Sequence, residues 1–173
     1  MTDFQTSFLC DVKSLFLQQQ EENLAPYLYS TPNIEDDSAN GEGCYQELIS
    51  QNLNYYLYKE EIKLINNKAS QIAAYVPPGS NVIEFGLGTD IAFKNKSLPF
   101  LKEIKQLKSY VPIDLCQTYL DQSEEILSRE LPEISVEKIN TDFIKKIDLI
   151  KNFTKPVVFL KEVQLPIFLQ IIA

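Results

Sequence analysis

The segment Val82-Ile83-Glu84-Phe85-Gly86-Leu87-Gly88-Thr89 constrains this chain more than any other. A strand-like run ends in two glycines separated by one residue, in a protein with only 5 glycines. Glycine has no Cβ, so such a strand can turn sharply and bring its backbone against a ligand. A tight strand-to-helix turn without a ligand meets the same pattern, and the third glycine of the dinucleotide fingerprint is absent. The downstream context favours the ligand. A second apolar strand, Tyr110-Val111-Pro112-Ile113-Asp114, ends in an acid, and a third, 134–139, runs into Asn140-Thr141-Asp142-Phe143.

Around this motif the pattern is that of an α/β protein. Strands are expected at 81–85, 109–113, 134–139 and 156–160, with helices between them at 97–108, 116–130 and 142–150. That alternation is the signature of a parallel sheet with crossovers. Upstream, residues 4–23 carry apolar positions at helical spacing, and 24–43 read as an acidic irregular loop rich in Pro, Asp, Asn and Gly. A short helix follows at 45–53. A longer one runs from Tyr56 to Val76, with Ile62, Ile65, Ala69, Ile72 and Ala73 on one stripe, and stops at Pro77-Pro78-Gly79. The lysines between 94 and 108, and Lys145-Lys146, read as solvated faces.

Composition removes whole classes of chemistry. The chain has no histidine. A Ser-His-Asp or Cys-His nucleophile system and any His-ligated metal site are therefore excluded. Cys10, Cys44 and Cys116 are an odd, scattered set without Cys-x-x-Cys spacing, which reads as reduced thiols and neither a disulfide framework nor a metal site. The formal net charge of −8 argues against a nucleic-acid partner. The N-terminus lacks the basic start and apolar run of a signal peptide, and no apolar run approaches the ~20 residues of a membrane helix. A cytoplasmic protein without a membrane or nucleic-acid partner is expected.

The order strand-Glu-x-Gly-x-Gly, strand-Asp, strand-Asp-Phe resembles the S-adenosylmethionine (SAM)-dependent histidine-specific methyltransferases of ergothioneine synthesis, from about Leu24 to Leu160. Glu84-Phe85-Gly86-Leu87-Gly88-Thr89 is similar to the family's Glu-Leu-Gly-Ser-Gly-Thr, Pro112-Ile113-Asp114 to its Pro-x-Asp, and Asp142-Phe143 to its Asp-Phe. Tyr55-Tyr56-Leu57-Tyr58-Lys59-Glu60-Glu61 keeps the tyrosines and final acid of its Tyr-Tyr-x-Thr-Arg-x-Glu. Two features depart: Asp36-Asp37-Ser38 stands where the family has an aromatic pair, and the lysine after its glycine loop falls at Ala92, with Lys94 a substitute.

The resemblance implies a class I methyltransferase (Rossmann-like) parallel sheet, incomplete and preceded by a helical region, with SAM as cofactor, bound weakly or not at all where half the cleft wall is missing. Gly86 and Gly88 would admit its methionine and ribose portion, with Glu84 anchoring a polar group nearby. Asp114 would accept from ribose hydroxyls, Asp142 from the adenine amino group, and Phe143 would cover the ring. Asp114 and Asp142 serve equally well as helix N-caps. Tyr55 would belong to the pocket of an amino-acid-like amine acceptor. No catalytic acid or base and no metal is assigned. Three regions are expected: a helical region and loop (1–78), a partial SAM-binding domain (79–160) and a tail (161–173).

The tail is where the resemblance stops. After Val157-Val158-Phe159-Leu160 the family continues Gly-Ser-Thr-Ile-x-Asn-Phe, whereas here the chain reads Lys161-Glu162-Val163-Gln164-Leu165-Pro166-Ile167-Phe168. Codons for these residues, read from the third base of the lysine codon, can spell the family sequence, so the tail reads as out of frame and the domain as truncated. The strand at 156–160 then becomes a sheet edge, open to self-association. Two rival readings stand beside the methyltransferase: a non-catalytic, partner-binding remnant of that family, and a nucleotide-sugar or NAD enzyme on a similar sheet.

Overall fold

The computed structural model describes residues 3–17, 56–142 and 147–161. The chain divides into two units, Met1–Leu53 and Asn54–Ala173. In the first, helix α1 spans Asp3–Leu17, at the start of the helix expected for 4–23. The rest of that helix, the acidic loop and the short helix at 45–53 lie outside the described residues.

The second unit is built on a parallel sheet. Its elements in order are α2 (Tyr56–Ala73), β1 (Asn81–Phe85), α3 (Asp90–Ala92), a π turn (Phe93–Ser97), α4 (Leu98–Glu103), β2 (Ser109–Asp114), α5 (Gln117–Glu130), β3 (Ser135–Val136), β4 (Ile139–Asn140), a 3-10 helix (Ile147–Asn152) and β5 (Pro156–Phe159). The strand order is β3-β2-β1-β5, with β4 also paired to β2, and every pairing is parallel. Register aligns Phe85 with Ile113, Glu84 with Phe159 and Asp114 with Asn140. Every residue of β1 and β2 is buried, and strands buried on both faces read as near-continuous apolar runs.

Alternation along the strands sorts side chains onto two faces. Val82 and Tyr110 face a cluster with Ile65, Ala73 and Val76 of the α2 region, Phe93, Leu98 and Leu101, and Leu120 and Leu127 of α5. Ile83, Phe85, Val111 and Ile113 face the other way, against Ile139, Ile150, Phe153 and Val158. Helix α2, grouped by the sequence with the region 1–78, thus packs into the core of the sheet unit.

The structure departs from the expected elements at three points. The strand expected at 134–139 is two short strands, β3 and β4, with Glu137 and Lys138 between them. The helix expected at 97–108 is preceded by the π turn and ends at Glu103. The helix expected at 142–150 is replaced at its end by the 3-10 turn Ile147–Asn152, while 143–146 lie outside the described residues.

From β1 the chain crosses to β2 on one side, whereas β5 lies on the other. That reversal is a topological switch point, where open α/β sheets form a crevice at the carboxyl ends of their strands.

Candidate functional site

The crevice begins at the turn after β1. Gly86 and Gly88 have φ of 61° and 72°, the left-handed region that costs any other residue. At Gly88 a Cβ would meet only the Ala92 Cβ at 3.5 Å, so conformation rather than crowding demands glycine there. Gly86 N–H donates to the Ile113 carbonyl at 2.8 Å, locking the turn to β2. Thr89 then caps α3, its hydroxyl accepting from Ala92 N–H at 3.3 Å.

Asp114 closes one side. Its carboxylate accepts from Gly88 N–H at 3.4 Å and from Cys116 N–H at 2.8 Å. The residue is buried, and it is Cys116, not Asp114, that occupies the N-cap position of α5. The Asp114 carbonyl accepts from Thr141 N–H at 3.1 Å and from Asn140 Nδ2 at 3.2 Å. These bonds carry half-buried Asp142 to the same end of the sheet. The structure therefore brings Gly86, Gly88, Asp114 and Asp142 together, while Phe143 and Tyr55 lie outside the described residues.

Glu84 sits beneath the turn, 0% exposed. Its carboxylate accepts from Ser97 Oγ at 2.7 Å and from Tyr110 OH at 2.6 Å, and pairs with Lys161 Nζ at 2.5 Å. A carboxylate is tolerated at such depth when it is so paired and hydrogen-bonded. Burial, and then the charge of Glu84, raise the Tyr110 pKa well above its ordinary value, so the phenol remains a donor. Lys161 also donates to the Leu87 carbonyl at 2.6 Å, within the glycine turn itself. Sequence reasoning assigned Lys161 to the tail; it is 6% exposed and held by two groups of the β1 end.

A second buried cation was read as solvated. Lys96, on the π turn, pairs with Glu61 of α2 and lies 4.3 Å from the Tyr58 ring centroid. Lys94, two positions earlier, is exposed and pairs with Asp90 at 2.7 Å. The π turn shifts the helical phase enough to turn Lys96 inward beside Ser97. Glu61, the acid the sequence motif retained, was the available signal that an inward cation would be needed.

Among the described residues no group of three or more His, Cys, Asp or Glu side chains could hold a metal ion, and no helix is long and apolar enough to cross a membrane.

A family model described as "Histidine-specific methyltransferase, SAM-dependent" matches residues 10–162. No curated protein matches the chain. Among solved structures, the O-methyltransferase TomG of Streptomyces achromogenes, involved in tomaymycin synthesis and solved with SAM, is 13% identical with a TM-score of 0.40, over 99% of this chain and 68% of that one. An uncharacterised protein from Burkholderia thailandensis is 15% identical with a TM-score of 0.35, over 82% of this chain and 37% of its own.

Proposed function

Because this chain belongs to the histidine-specific, SAM-dependent methyltransferase family, we propose that the crevice binds SAM and serves methyl transfer to the amine of an amino-acid-like acceptor. One observation carries the reading. The glycine turn and the acid of the next strand meet through the Gly88–Asp114 contact at the switch point, where α/β sheets bind nucleotides.

The residues present fit the cofactor. Gly86 and Gly88 adopt the positive φ that the turn needs, and without a Cβ they leave its backbone open to a ligand. A carboxylate offers about four acceptor sites, so Asp114 can take ribose hydroxyls alongside the Gly88 and Cys116 amides. Asp142, one residue beyond the Asp114–Thr141 bond, is the acceptor proposed for the adenine amino group, with Phe143 over the ring. Glu84 acts indirectly, holding Ser97, Tyr110 and Lys161 so that the turn keeps its shape. Tyr55 is proposed for the acceptor side.

When bound, SAM supplies an electrophilic methyl group. A neutral amine needs little acid or base help against it, so the chain's task is to hold the amine in line and exclude water. The crevice suits this, since it offers the Asp114 and Asp142 carboxylates as acceptors and no general base is required of it. The expected acceptor is the amine of histidine or a similar amino acid.

Calorimetry with SAM tests the cofactor assignment: binding is expected, and should weaken at least about tenfold in Asp114→Ala, the loss of one charge-assisted hydrogen-bond acceptor. Absence of binding, or affinity unmoved in the variant, would overturn it. Incubating amino acids with methyl-labelled SAM and reading the products by mass spectrometry tests the acceptor. Label on histidine or a related amine supports the assignment; label confined to oxygen acceptors refutes it.

A further inference from the structure

Lys161 is a cation that reaches the glycine turn, and it does so from the opposite wall of the crevice. It follows β5 by two positions, across the switch point from Asp114. Its ammonium spans Glu84 Oε1 at 2.5 Å and the Leu87 carbonyl at 2.6 Å. An ammonium so placed is desolvated and held by a carboxylate and a backbone acceptor, which is also the surrounding a cationic ligand would seek.

We propose that Lys161 is a tethered competitor for the crevice, making affinity depend on the charge and extent of the ligand's amino-acid end. The inference rests on the cofactor reading above. SAM carries positive charge on its sulfonium and on its amino group and negative charge on its carboxylate, and only the two cationic centres compete for the acceptors that Lys161 holds. Placed with its adenosine toward Asp114, its amino-acid end runs toward β5 and meets the Lys161 ammonium. Binding then requires the lysine to withdraw from the turn, and the affinity observed is the intrinsic one reduced by the fraction of molecules in which it has done so. Glu84 stays behind, held by Ser97 and Tyr110 beneath the turn, and its charge favours a cation in the crevice above it. A ligand confined to the Asp114 side meets no such competition.

The test compares SAM with methylthioadenosine, which keeps the adenosine but lacks the amino-acid end and its charges. Affinities are measured by calorimetry on the full chain, wild type against Lys161→Ala. SAM should tighten by about tenfold or more if the lysine is withdrawn in about a tenth of wild-type molecules. Methylthioadenosine should change by less than about twofold, and Lys161→Arg should behave as wild type, since it keeps a cation in place. Lys161→Ala leaves Glu84 buried without its cation, so Glu84→Gln/Lys161→Ala provides a neutral alternative that opens the same space. It too should bind SAM more tightly than wild type, but less tightly than Lys161→Ala.

Methylthioadenosine binding with no gain for SAM in either alanine variant overturns this inference and leaves the cofactor assignment standing. Equal gains for both ligands also overturn it, because they would report a general loosening. Failure of both ligands to bind any of the chains overturns the cofactor assignment and this inference together.

Discussion

Glu84 shows how one buried carboxylate organises its surroundings. With Ser97, Tyr110 and Lys161 all directed at it, removing the charge leaves an ammonium buried without its anion. Glu84→Ala is therefore expected to lower stability by about 3 kcal/mol or more, the cost of breaking a buried pair from one side. Denaturant unfolding measures it, and a loss under about 1 kcal/mol would show that water reaches the site. Tyr110 gives a complementary pH signature. Its folded pKa lies above the unfolded value of 10.0, so the folded state keeps the proton to higher pH. The stabilisation is full below that unfolded pKa and is lost as pH rises through the folded one. Melting temperature should hold on the alkaline side up to about pH 10 and then fall, with a shallower fall in Tyr110→Phe, which has no phenol to ionise. Parallel slopes in the two proteins would refute the assignment.

At the scale of elements, what could be read from the sequence follows from how local each cause is. Strands β1 and β2 were legible because burial on both faces writes a continuous apolar run, and α5 because its buried Leu120, Ile126 and Leu127 repeat at helical spacing. The carboxyl-end residues Gly86, Gly88 and Asp114 were legible for the same reason: each follows a strand whose end is visible. Lys96 and Lys161 were not, since a lysine's burial depends on partners distant in sequence; Glu61 lies 35 positions from Lys96. The π turn that directs Lys96 inward has no compositional mark. Two ion pairs of contrasting surroundings test this account. Lys96→Met removes the ammonium paired with Glu61 in a nearly buried site and should cost about 3 kcal/mol. Lys138, which pairs with Asp121 and Glu124 at 2.7 and 2.6 Å, ties β4 to α5 at the surface. Lys138→Met should cost far less, as exposed pairs do. Similar losses measured in the two variants would mean that burial does not separate them.

For the whole molecule, the question is where the folded unit needs its chain to continue. The family match runs to residue 162, and Lys161 is bound into the crevice, so the sheet unit uses the chain at least to that lysine. The codon reading of the segment beyond it offers no selected role for 164–173. A chain ending at Val163 should therefore melt within about 2 °C of the full chain, well inside the shift that 1 kcal/mol produces in a domain of this size. A chain ending at Leu160 removes Lys161, leaves Glu84 uncompensated, and should melt several degrees lower, by about the shift of a broken buried pair. Adding Glu84→Gln to the shorter chain should recover much of that loss, because no charge then remains to be satisfied. The three melts separate the contribution of one lysine from that of the residues after it. If the chain ending at Val163 fails to fold, the segment 164–173 belongs to the domain and the out-of-frame reading falls. If the chain ending at Leu160 melts with the full chain, the Lys161–Glu84 pair contributes nothing to the fold, whatever it does for a ligand.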